Sequence, residues 1–131
     1  MEFWKDKEKG IVNAELFSKK AEEIVISLTS VNKWEKIEKE LDKNQIRKFY
    51  NDVLTIKSKI NSSENIELEF ERQKPYLNML RAKVAYARSR KHIRGDNFVL
   101  FITNSLNEVN DVQDFKVFCS LYEAVIAYFG N

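Results

Sequence analysis

Three glycines and a single proline, spread over 131 residues, set the tightest limit on what this chain can fold into. A sheet protein reverses direction about every 8–12 residues and needs small or kinked residues at each reversal. A chain so poor in both is expected to run in long helices joined by short polar loops. Its length suits one domain with a buried core. The expectation is an all-α fold: a single-domain helical bundle of five to six helices over residues 1–131.

Apolar periodicity sketches the helices. Leu16, Ala21, Ile24, Val25 and Leu28 place the first over residues 12–29, with Asn13 or Ser18 near its start. Residues 30–42 read as a polar connector in which Trp34, Ile37 and Leu41 make one or two short amphipathic turns. Asp42 followed by Gln45 matches a capping box, and Ile46, Phe49, Tyr50, Val53, Ile56 and Ile60 trace one stripe behind it. The stretch "IELEFERQ" fits strand or helix, and helix is preferred because a lone strand would lack a partner. Pro75 is expected to start or kink the next helix, and Gly95 to stop it. Asp96 or Asn97 then caps a helix with Phe98, Phe101, Ile102, Leu106 and Val109 inward. The last helix, residues 112–129, is apolar around most of its circumference, as suits the centre of a bundle or an oligomer interface.

Catalytic constellations are nearly absent. His92 is the only histidine and stands among cations that disfavour a metal there. Cys119 falls on an apolar helical face, where a buried structural thiol is expected. Three scattered glycines make no phosphate loop. Glu64, Glu67, Glu69 and Glu71 read as a solvated helix face. The chain does not read as an enzyme, and no metal or cofactor is expected. No apolar run approaches the roughly 18 residues of a membrane span. With no opening secretory signal and one cysteine, the expected setting is the reducing cytoplasm.

Charge is unevenly distributed. Residues 1–42 hold 8 Lys or Arg against 10 Asp or Glu, residues 43–95 hold 13 against 5, and residues 96–131 hold 1 against 5. The basic middle culminates in "YLNMLRAKVAYARSRKHIRG", residues 76–95, with six cations and no carboxylate. On a helical wheel Leu77, Leu80, Val84 and Ala87 form a core stripe. Arg81 and Arg88 flank it on one side, Lys83, Arg90 and Arg94 on the other. Two accounts compete. Lys and Arg commonly line the rim of a core stripe, yet an ordinary solvated face mixes signs. The side opposite the stripe carries Ala82, Ala85 and Ser89 with Met79 and Tyr86 nearby, smooth enough for another backbone to approach. RNA or DNA, held at its phosphates, is the anion that such a spread of charge suits best. Arg47 and Lys48 would extend the patch if their helix packs alongside, and Tyr50 and Tyr86 are candidate stacking residues.

The segments "QIRKFYNDV" (45–53), "PYLNMLRAKVAYARSR" (75–90) and "FKVFCSLYEAVIAYFG" (115–130) resemble the small subunit of the type III-A (Csm) CRISPR effector complex. The likeness spans residues 41–130, which would be the family-like core. Residues 1–40, the N-terminal helix and connector, carry little of it. The resemblance implies a non-catalytic helical subunit, present in several copies along the filament, that helps seat target RNA on the guide RNA. Its partners would be both RNAs, the backbone and large subunits, and further copies of itself. It also implies that Arg47, Lys48, Lys83 and Arg90 touch the RNA backbone. Arg81, Arg88, Lys91 and Arg94 join them on charge pattern alone. The isolated subunit is expected to pair through its apolar last helix, if it pairs at all. A helical module whose basic patch docks an acidic protein is the competing expectation.

Overall fold

The computed structural model describes residues 1–130 of the chain. Its body is helical, with α1 (Ala21–Ser27), α2 (Lys43–Asn61), α3 (Ile66–Ser89), α4 (Asn97–Asn107) and α5 (Val112–Phe129). Two small antiparallel sheets decorate it: β1 (Trp4–Asp6) with β2 (Ile11–Val12), and β3 (Thr29–Val31) with β4 (Ile37–Lys39).

The helix expected over residues 12–29 is therefore much shorter. Val12 lies in a strand, and Asn13 accepts the backbone N–H of Glu15 instead of opening a helix. A π-helical turn, Leu16–Lys20, then leads into α1. The connector at 30–42 is a hairpin rather than a helical turn. Val31 pairs with Ile37, and the carboxamide oxygen of Asn32 accepts the N–H groups of both Trp34 and Lys36. Glu35 takes a left-handed φ of 60°. An Asx-type turn has replaced the glycine that would have announced a hairpin.

From residue 42 onward the expected elements form. Asp42 accepts the N–H of Gln45, and Asn65 that of Leu68. The ambiguous 66–72 stretch is helix, and α3 passes through Pro75 without ending. The ring sits on the solvent side, where water can satisfy the carbonyl its missing N–H leaves free.

Two termini differ from expectation. Helix α3 ends before Gly95, in a Schellman motif at 89–92. His92 N–H reaches the Ala87 carbonyl at 2.9 Å, Lys91 N–H that of Arg88 at 3.1 Å, and Lys91 has φ 62°. Asp96 makes no side-chain cap on α4. Glu40 does so from β4's far end, accepting the N–H of Asn97 at 3.2 Å and of Phe98 at 3.0 Å. Gly95 is needed for this approach, since a Cβ there would stand 2.5 Å from Glu40 Oε2.

Helix α5 is the central element, packed against α1 and α2 and touching α3. Tyr122 occupies its middle, fully buried, with Tyr50, Phe101 and Phe118 around its ring at 5.0, 5.6 and 6.1 Å. Its hydroxyl donates to the Ile46 carbonyl at 2.7 Å, which satisfies a polar tip that would otherwise be stranded. Phe3 and Trp4 bring the amino-terminal hairpin onto the same core. The Trp4 indole N–H donates to Asp114 at 2.7 Å, and Lys7 bridges Asp111 and Asp114.

Candidate nucleic-acid interface

Four loop residues join α2 to α3, so the two helices run antiparallel side by side, tied by Lys83 Nζ to Asp52 Oδ2 at 3.2 Å. This arrangement sets the start of α2 beside the end of α3. The two basic segments, some 40 residues apart in sequence by their motif positions, thus share one end of the molecule.

Within that layout the eight candidate residues divide into two sets. Arg81 turns to α4, donating to Asn107 at 3.0 Å and to the Thr103 carbonyl at 3.4 Å. Arg88 pairs with Asp96 at 2.9 Å. Lys83 is held by Asp52 on the opposite flank. These three are braces between helices as well as surface cations, which is what the rim account anticipates. Arg47, Lys48, Arg90, Lys91 and Arg94 are exposed and form no ion pair among the described residues. Successive helical residues point about 100° apart. Lys48 therefore shares the α3-facing side with Asp52, while Arg47 turns towards Asn51 and Leu54.

The Schellman turn arranges the remaining three. Arg90 ends the helix, Lys91 takes the left-handed position, and Ile93 plunges into the core, which throws Arg94 back to the surface. Arg94 is pinned by its N–H to the Glu40 carbonyl at 2.7 Å. With His92 it lines a cleft of about 280 Å³ against Ile37, Glu38, Leu41 and Asp42. Nearby carboxylates are already occupied: Glu40 and Asp42 cap helices, and Glu38 accepts from Asn32. Sequence reasoning passed over Lys43, exposed at the first position of α2 on this end. A cation next to an N-cap Asp, flanking "QIRKFY", was the available signal.

The aromatic candidates separate. Tyr50 is stacked on Tyr122 and half-buried, so it is a core-rim ring. Tyr86 is 63% exposed on the outer side of α3, one turn before Arg90. Trp34, expected in an amphipathic turn, is 68% exposed at the hairpin tip between Val31 and Ile37, with Lys33 Nζ 4.4 Å from its ring centre.

Burial pushes the Cys119 thiol up to about 12, which keeps it protonated and unreactive. Glu69 is held below the usual carboxylate range, first by its hydrogen bond from Gln73. Among the described residues no three His, Cys, Asp or Glu side chains stand together to hold a metal, and no helix is long and apolar enough to cross a membrane.

In class the chain is a small helical bundle with a cation-rich end. The chain belongs to the Csm2 Type III-A family, whose model matches residues 13–130, and so to the small subunits of the type III-A Csm complex. The match reaches back beyond residue 41, taking in α1 and the β3–β4 hairpin. No curated protein and no solved structure matches the chain.

Proposed function

We propose that this subunit works without catalysis, lining the filament of a type III-A RNA-guided complex in the cytoplasm and binding the backbone of guide and target RNA. The observation that carries the reading is the set of unpaired cations at one end, Lys48, Arg90, Lys91 and Arg94 with Arg47 beside them. Cations without carboxylate partners keep their full attraction for phosphate, and phosphate contacts carry no base information. That indifference suits a complex in which base pairing with the guide does the reading. The backbone and large subunits, and further copies of the chain, are its protein neighbours in this reading.

Filter binding with single-stranded RNA tests it. Affinity should fall steeply with salt, and Arg90→Glu combined with Arg94→Glu should weaken it roughly tenfold or more. Arg81→Ala should loosen the fold while leaving the salt dependence nearly unchanged. Binding that ignores salt would refute the reading.

The hairpin tip favours a second reading for part of the surface. Val31, Trp34 and Ile37 project together at 67–73% exposure, more apolar area than solvent ordinarily keeps. If protein docking is the main role, crosslinks from residues 81–94 will reach an acidic neighbour and never RNA.

A further inference from the structure

The β3–β4 hairpin ends in an aromatic ring that the core does not use. Trp34 is 68% exposed, and Val31 and Ile37, paired across the strands beside it, are 67% and 73% exposed. The turn that holds the indole out is firmly made. The Asn32 carboxamide oxygen accepts the N–H groups of Trp34 and Lys36 at 2.9 and 3.1 Å, and its amide nitrogen donates to Glu38 at 2.9 Å. Lys33 Nζ lies over the ring, 4.4 Å from its centre, and the ring stays largely open to solvent. A large apolar ring gains from cover wherever a partner offers it. An indole fixed in water by its own turn is preorganised for a ligand.

Charge and position choose that ligand. Lys33 and Lys36 flank the ring and form no ion pair among the described residues, and Glu35 is the one carboxylate between Val31 and Ile37. The hairpin also leans on the cation-rich end of the bundle. Arg94 donates its N–H to the carbonyl of Glu40, three residues after Ile37, and Ile37 and Arg94 line the same cleft of about 280 Å³. Three strand residues span about 10 Å. The carboxylates on that cleft are engaged, Glu38 by Asn32 and Asp42 by the first turn of α2. A chain of phosphates that starts on Arg94 can thus follow the cleft to the tip without crossing an open carboxylate.

A protein is the competing occupant. Stable protein interfaces take about 800 Å² from each partner, and three side chains on a seven-residue tip supply a small part of that. A base needs only one open ring face. We propose that Trp34 is a stacking platform for one unpaired base of a single-stranded RNA whose phosphates lie on Arg94 and Lys91. This rests on the RNA reading given above and adds to it a contact with a base rather than with the backbone. Every base has a π-face, so the platform keeps the indifference to sequence that the phosphate contacts have.

Tryptophan fluorescence of the full chain tests the platform, with oligoadenylate and inorganic polyphosphate as probes. Trp4, the other indole, is half-buried and bonded to Asp114, so it supplies a steady background. Oligoadenylate should quench the wild type, and the quench should vanish in Trp34→Leu. Polyphosphate carries charge without bases, and should bind with a steep salt dependence and little quench. Trp34→Leu should weaken oligoadenylate at least about fivefold, Trp34→Phe less, and leave polyphosphate within about twofold. Helical circular dichroism should not change, since the ring lies outside the core. Salt-dependent binding of both probes without a Trp34-dependent quench overturns the platform and leaves the phosphate reading standing. Binding of neither probe sinks that reading and the platform with it. Equal losses for both probes make Trp34 a prop of the surface rather than a base contact, and overturn the proposal. So does a Trp34→Leu chain that binds oligoadenylate like wild type yet drops out of the assembled complex, which gives the tip to a protein.

Discussion

Lys83 stands 3.2 Å from Asp52, so a lysine proposed to touch RNA is held in this structure by a carboxylate on the neighbouring helix. Both side chains are nearly half exposed, which makes the pair weak and exchangeable. Removing the carboxylate should release the lysine to a phosphate. Asp52→Asn is expected to raise single-stranded RNA affinity about two- to fivefold and to steepen its salt dependence by about one unit. Filter binding across a salt series checks both, and an affinity unmoved by the change would take Lys83 out of the RNA contact.

Lys91 occupies the left-handed position of the α3 terminus, where glycine is free of strain and lysine is not. Lys91→Gly should stabilise the fold by up to about 1 kcal/mol in urea unfolding. The same change should reduce RNA affinity by removing a cation. Gains in stability and losses in binding from one substitution would separate the two roles of this residue.

The cap that Glu40 supplies to α4 depends on Gly95. Glu40→Ala should cost about 1 kcal/mol by leaving two first-turn N–H groups without an acceptor. Gly95→Ala should cost a similar amount, since the added methyl displaces that carboxylate. Because both act on one interaction, the double variant should be clearly less destabilised than the sum of the two, measured by a double-mutant cycle.

Asp114 makes the fold sensitive to acid. Burial pushes its carboxyl up, but the Asn110 N–H, the Trp4 indole and Lys7 together outweigh this and hold it below the ordinary value of 3.8. A carboxyl lowered by folding adds stability that is complete above the unfolded value and fades as pH falls through the folded one. Stability should therefore decline below about pH 4. Asp114→Asn, itself less stable at neutral pH, should show a shallower decline between pH 7 and pH 3 in urea titrations.

Tyr122 and Cys119 report on the core. Tyr122→Phe should cost about 1 kcal/mol, because the hydroxyl is lost and the Ile46 carbonyl gives up an inward-facing donor. The Cys119 thiol, buried and raised to about 12, should react with a disulfide reagent at pH 8 only as fast as the protein opens. Rapid labelling of the native chain would contradict the burial of α5.

From residue 42 onward, periodicity was sufficient to place the helices, though not the end of α3 or the cap of α4. The stripe of α2, the continuity of 66–72 with α3 and the central place of α5 all follow from apolar residues at helical spacing, which has one low-energy solution. Scarce glycine and proline excluded a large sheet for the same local reason. Sequence could also nominate the basic residues, since charge is a property of residue type. It could not divide them. Arg81 and Lys83 are engaged because Asn107 and Asp52 arrive from other helices, Arg88 because Asp96 arrives from the loop before α4, and the free set is what such partners leave over. The same limit hid the β3–β4 hairpin, whose turn is made by an Asn32 carboxamide rather than a glycine. It also hid the cap on α4, whose acceptor lies 57 residues before the N–H it serves. Side-chain type and local period determine which helices form and which residues carry charge. Only the packed fold, by bringing distant partners within hydrogen-bonding reach, decides which of those charges remain open to a ligand.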